Sequence, residues 1–126
     1  MRFTETTEKI TVTVRPVYLD GQSNFIRKKL VFAYFVRIEN NGYEPVKLLR
    51  RHWIITDGNG KVTEVEGEGV IGLQPVISPG HAHEYSSFSI IETMEGTMRG
   101  AYLMQRSGGE QFWARIPQFS LRAAAN

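Results

Sequence analysis

The sequence predicts an all-β fold, an antiparallel sandwich of about seven strands. Three observations carry that expectation. Apolar and polar residues alternate with period two, most plainly where Ile10, Val12 and Val14 interleave with Thr11, Thr13 and Arg15. Turn-forming clusters recur every ~8–12 residues. No segment places apolar residues at helical spacing over three turns behind an N-cap.

Taken in order, the first strand spans 9–19, with Pro16 marking an edge or a bulge because it cannot donate a ladder hydrogen bond. Asp20-Gly21 opens a turn-rich loop, and a second strand follows over 29–40. Its faces are both apolar, Phe32, Tyr34, Val36 and Ile38 on one and Val31, Ala33 and Phe35 on the other, which predicts a central position. Asn40-Asn41-Gly42 ends it. A third strand over 46–56 puts Leu49, Arg51, Trp53 and Ile55 on one face. Asp57-Gly58-Asn59-Gly60 then closes a hairpin with 61–66. After a glycine-rich stretch, Ser78-Pro79-Gly80 turns into 81–91, where His83, Tyr85, Ser87, Ser89 and Ile91 share a side. Glu95-Gly96 leads into 97–105, and Ser107-Gly108-Gly109 makes a last hairpin with 111–121. There Phe112, Ala114 and Ile116 face one way until Pro117 shifts the parity. Trp53 on the third strand occupies the place of the core tryptophan in an immunoglobulin-like sandwich, and with no disulfide to pack on it the fibronectin type III variety is expected.

The chain of 126 residues reads as a single domain over 1–126, with 1–8 and 122–126 as loose termini. A hydrophobic fraction of 41% and a charged fraction of 22% are those of a globular chain with a sizeable core. The absence of cysteine removes disulfides, thiolate metal sites and thiol catalysis, and fits a reducing compartment. Fifteen Lys and Arg against thirteen Asp and Glu give a net charge of +2, too small and too dispersed to predict a nucleic-acid partner. No apolar leader opens the chain and no apolar run reaches the ~20 residues that span a bilayer, so a cytoplasmic location without membrane contact is expected.

Gly67, Gly69 and Gly72 stand at GxGxxG spacing. A dinucleotide site built on that motif needs a strand before it and a helix N-terminus after it. Pro75 follows instead, and no helical pattern does, so a bulged or crossing segment is expected. An anion-binding nest of glycine-loop amides, taking pyrophosphate or a nucleotide, is the alternative. His81 and His83 lie two apart and are weak metal candidates, short of a third ligand such as His52 or Glu84. Arg50 and Arg51 point to opposite faces, with Arg51 expected to be half-buried beside Trp53 and paired with a carboxylate or stacked. Ser86, Ser87 and Ser89 sit near histidines without a nucleophile elbow, and no carboxylate pair is marked for acid–base work. No catalytic residues and no cofactor are therefore expected.

Several segments, read jointly, resemble the ApaG family. They are R-x-W-x-I-T-D (Arg51 to Asp57), G-E-G-V-I-G-x-Q-P (Gly67 to Pro75), Pro79-Gly80, G-T-M-R-G-x-Y (Gly96 to Tyr102) and I-P-x-F-x-L (Ile116 to Leu121). The resemblance runs from about Val12 to Leu121, and it departs from the family pattern at His81, His83 and Ser87 to Ser89. It implies a fibronectin type III-like sandwich serving as a non-catalytic protein-binding module, loosely linked with cobalt resistance and magnesium efflux. It also implies a proposed pyrophosphate role for Gly67, Gly69 and Gly72. The expected partner is a protein of unknown identity, with a homodimer left open.

Overall fold

Period-two alternation becomes two stacked antiparallel sheets. The computed structural model describes residues 1–123. Among them are nine strands: β1 (Phe3–Thr7), β2 (Ile10–Tyr18), β3 (Leu30–Asn40), β4 (Val46–Asp57), β5 (Val62–Glu68), β6 (Val76–Ile77), β7 (Ala82–Ile91), β8 (Glu95–Arg106) and β9 (Gln111–Arg122). Sheet I has the order β1-β2-β3-β7, and sheet II the order β5-β4-β8-β9 with β6 also pairing β4. The count exceeds the expected seven through β1 and the two-residue β6.

The N-terminus corrects the expectation of a loose segment over 1–8. Phe3–Thr7 pairs in register with Ile10–Val14, and threonine hydroxyls meet across the ladder at 3.2 Å (Thr4 with Thr13) and 2.9 Å (Thr6 with Thr11). Glu8 and Lys9 form the connecting turn at φ 46° and 67°, a left-handed pair that usually takes Asn or Gly. Phe3 packs on Phe119 at 6.0 Å, and the Arg115 backbone N–H donates to Thr7 Oγ1 at 3.1 Å, which ties β1 to β9. At the other end, Arg122 closes β9 and Ala123 is buried. The expected loose residues 124–126 lie outside the described residues.

The core forms where inward positions of both sheets meet. Ile10, Val12, Val14, Phe32, Val36 and Ile38 of sheet I face Leu48, Trp53, Met98, Tyr102, Met104 and Phe119 of sheet II, all buried. Each such side chain contributes roughly 1.5–3 kcal/mol relative to exposure. Trp53 is the centre: its ring lies 5.0 Å from Tyr34 of the opposite sheet, and edge-on to Tyr102 and Phe119 at 6.3 and 6.0 Å.

Two bulges set which residues reach that core. The β4–β8 register shifts between Leu48 and Arg50, so Leu48 and Trp53 both point inward despite opposite parity. Leu49, expected on the Trp53 face, is the extra residue, and Leu48 fills the core in its place. The β8–β9 register shifts where Arg99 stands opposite Pro117 and Gln118, so Ile116 and Phe119 are both buried. The expected parity change at Pro117 is that bulge.

Candidate functional site

The glycine stretch is a cover for the β4 bulge. Leaving β5, Gly69 donates its N–H to the Leu49 carbonyl at 2.9 Å, Gln74 Nε2 donates to the same carbonyl at 3.0 Å, and Leu48 N–H donates to the Pro75 carbonyl at 2.9 Å. Val70 and Leu73 exchange backbone hydrogen bonds of 2.8 and 3.0 Å around Ile71 and Gly72, whose φ values of 48° and 73° describe a two-residue hairpin turn. Val70 plugs the core and β6 follows, so strand and not helix comes after the motif. Gly69 sits at φ 60°, where a Cβ would fall on the Leu73 carbonyl oxygen. Gly67 leaves space for a guanidinium: a Cβ there would lie 2.7 Å from Arg51 Nη1.

Arg51 is half-buried as expected, but its partners are backbone carbonyls and not a carboxylate. Nη1 donates to Glu68 and Gly69 oxygens at 3.0 and 3.1 Å, fastening the exit of β5. The Gly69 amide is spent on the Leu49 carbonyl of β4 and those of Val70 and Leu73 on each other's carbonyls, so few donors are left to converge on an anion.

The histidines are placed apart from their suggested third ligands. His81 belongs to the exposed turn before β7, and its N–H donates to the Ser78 carbonyl at 3.0 Å. His83 lies on the inner side of β7 and stacks on Tyr85 at 6.3 Å. Glu84 points outward to Arg37 at 2.9 Å, and His52 is on the outer face of sheet II, 3.2 Å from Glu64. Among the described residues no three His, Asp or Glu side chains cluster to hold a metal.

Of the β7 serines, Ser87 and Ser89 lie on the inner side and Ser86 is exposed. Ser89 Oγ donates inward to Met98 Sδ at 3.5 Å, and the Tyr85 hydroxyl meets that of Tyr102 across the sheets. Burial pushes the phenols of Tyr34, Tyr85 and Tyr102 above their ordinary range, furthest for the fully enclosed Tyr102. The Tyr85–Tyr102 contact joins the two layers inside the sandwich.

What faces outward is less uniform. β7 ends sheet I with a free edge of ten residues, paired to β3 without a register shift and carrying no Pro, Lys or Arg. Beside it the outer face of sheet I exposes Phe88 (64%), Ile90 (50%) and Phe35 (41%). The outer face of sheet II exposes Trp113 at 46%. Sequence reading missed that tryptophan, although its parity against Phe112 and Ala114 already directs it away from the core.

Comparison with known proteins places this architecture. The ApaG domain family matches residues 20–106. The chain is 51% identical over 119 residues to Protein ApaG of Rhodospirillum centenum, covering 94% of this chain and 92% of that one. It is 49% identical over 113 residues to Protein ApaG of Escherichia coli, covering 90% of each. A crystal structure described as an ApaA protein of Bordetella pertussis superposes with a TM-score of 0.90 at 41% identity, covering 98% of this chain and 99% of that one. With the family domain spanning the sandwich from the loop after β2 to the end of β8, and half of all aligned residues shared with such relatives, the chain belongs to the ApaG family.

Proposed function

We propose that the chain is a non-catalytic protein-binding module that takes an extended segment of its partner along the free edge of β7. The observation that carries this reading is the edge itself. Folded proteins blunt such edges with lysine, proline, bulges or a covering element, because unpaired N–H and C=O groups template pairing with another chain. β7 has none of the first three over Ala82–Ile91, and apolar Phe88 and Ile90 flank it. Strand addition would supply main-chain hydrogen bonds, and the outward Phe88 and Ile90 would sort the partner's alternate side chains. Near its end β7 meets the β4–β5 hairpin, where Ile55, Thr63 and Ile91 line a small hollow and Lys61 pairs with Glu92 at 3.1 Å. That hollow would fix where an added strand stops. A cytoplasmic setting and an indirect, partner-borne link to cobalt and magnesium fit the same reading. The alternative of pyrophosphate or nucleotide binding at Gly67, Gly69 and Gly72 draws less support, because the amides of Gly69, Val70 and Leu73 are already engaged with backbone carbonyls.

Affinity capture from cell lysate with the full chain tests the proposal. Phe88→Lys and Ile90→Lys, both at exposed positions, should abolish recovery of the captured protein without changing the melting temperature. Amides of β7 should gain hydrogen-exchange protection in the recovered complex. Capture that survives both substitutions, with no new protection along β7, would remove the edge from consideration.

A further inference from the structure

Outward residues of sheet II form a lateral charge gradient. Pairing across the sheet places Glu68, Arg50, Leu103 and Trp113 in one row, and Glu66, His52, Ala101 and Arg115 in the next. Glu64, Ile54 and Arg99 follow in a third. The acid of these three rows is thus on the β5 side and the arginine on β4, β8 and β9, with Glu5 of β1 standing beside Arg115 at the β9 edge. Against the acidic column His52 makes the close contacts, at 3.2 Å from Glu64 and 3.8 Å from Glu66. Among the described residues Arg50 and Arg99 have no ion-pair partner, and Arg115 has only Glu5 at 3.9 Å. Between the two sides lies a hollow of about 550 Å³ floored by Gly100 and Ala101 and walled by Glu5, His52, Arg99, Trp113 and Arg115.

We propose that this face binds a second copy of the chain about a two-fold axis running parallel to the strands between β4 and β8. Such an axis lays β5 of each copy over β9 of the other, and β4 over β8, while each row stays opposite itself. Glu66 of one copy then meets Arg115 of its partner, twice, and Glu68 comes over Trp113 beside the hollow. A dipolar face is complementary to itself under this operation, whereas a uniformly charged one repels its copy. A polyanion such as single-stranded nucleic acid fits the arginines and tryptophan but is repelled by the glutamate column, which favours a partner of mixed charge. Four strands about 4.8 Å apart and three outward rows about 6.8 Å apart give a footprint of roughly 400 Å² per copy. That is below the ~800 Å² per partner of a standard stable interface. The dimer is therefore weak, salt-sensitive and in the micromolar range or above.

Sedimentation velocity on the full chain, from ~10 μM to ~1 mM at low salt, tests this. The native chain should dimerise reversibly and lose the dimer in concentrated salt. Because each substitution enters the interface twice, Glu66→Arg or Arg115→Glu alone should weaken association by at least about tenfold. The combined E66R/R115E chain should recover it. A native chain that stays monomeric throughout overturns the proposal, and so does a dimer indifferent to both single reversals. Failure of the double reversal to restore association, with both singles folded by circular dichroism, also overturns it. The surface is on the opposite sheet from β7, so Phe88→Lys should leave the dimer intact and the two proposals fail separately.

Discussion

Alanine placed in turn at the three motif glycines distinguishes an architectural stretch from a ligand cradle. At Gly72 the φ of 73° penalises any L-residue, but a Cβ would meet nothing within 4 Å. The cost is therefore the left-handed conformation alone, about 1–2 kcal/mol. At Gly69 the same penalty applies at φ 60°, and the Cβ also falls on the Leu73 carbonyl oxygen. Relief requires moving the backbone that holds the Val70–Leu73 turn and the Gly69–Leu49 hydrogen bond, so at least ~3 kcal/mol is expected. Gly67→Ala crowds the end of a flexible arginine at 2.7 Å and should fall between, at about 1–2 kcal/mol. A chain of 126 residues unfolds with an entropy of roughly 0.26 kcal/mol per kelvin. Differential scanning calorimetry should then place Gly69→Ala about 12 °C below the native chain and Gly72→Ala about 4–8 °C below it. The Gly67→Ala loss should nearly vanish in an Arg51→Ala background, since the two effects share one contact. Gly69→Ala melting with the native chain, while losing a pyrophosphate-dependent rise that the native chain shows, would refute the architectural account.

Two further outcomes follow from the interior. The buried phenols of Tyr34, Tyr85 and Tyr102 titrate above the 10.0 of exposed tyrosine, so the unfolded chain sheds protons first as pH rises. Their stabilisation is complete below pH 10 and is lost above it, by about 1.4 kcal/mol per pH unit for each phenol still protected. The phenolate absorbance of Tyr34, Tyr85 and Tyr102 should therefore rise in one cooperative step with unfolding; a smooth titration of these three in a folded protein would contradict this. Asn40 is buried, with Nδ2 donating to the Glu44 and Ile77 carbonyls at 2.8 and 2.9 Å and Oδ1 accepting from Gly42 N–H at 2.9 Å. Asn40→Ala should cost about 2–4 kcal/mol in urea denaturation, and Asn40→Asp more, because a carboxylate would face two carbonyls. An aspartate variant as stable as the native chain would exclude that network as a source of stability.

The fold was legible wherever residues obeyed one rule at a time. Ile10, Val12 and Val14 announce a half-buried strand, and Asp57-Gly58-Asn59-Gly60 and Ser107-Gly108-Gly109 announce hairpins, because alternation and turn chemistry there agree. The first hairpin escaped because Glu8 and Lys9 take left-handed conformations with no Gly or Asn to signal them. Leu49 was assigned to the wrong face because a bulge leaves no mark in parity until its neighbours' burial is known. Pro117 was read correctly because proline cannot continue a ladder. Among site residues, the bond from Arg51 to the carbonyls of Glu68 and Gly69 was beyond reach, being a contact across 17 and 18 positions.

The same two bulges decide what sheet II offers to solvent. Without the shift at Leu49, Leu48 would share an outward row with Arg50 and His52, and Trp53 would face away from Leu48. Without the shift at Pro117, Phe119 would emerge on the same face as Trp113 and Arg115. Each bulge thus returns a large side chain to the core and leaves the outer face to Glu64, Glu66, Arg99 and Arg115. Sheet I has no such correction in β7, whose unbroken register leaves Phe88 and Ile90 exposed beside a free edge. One sheet presents pattern in charge and the other presents unpaired backbone flanked by apolar side chains. The two proposed partners accordingly differ in chemistry, a folded face for sheet II and an extended strand for β7.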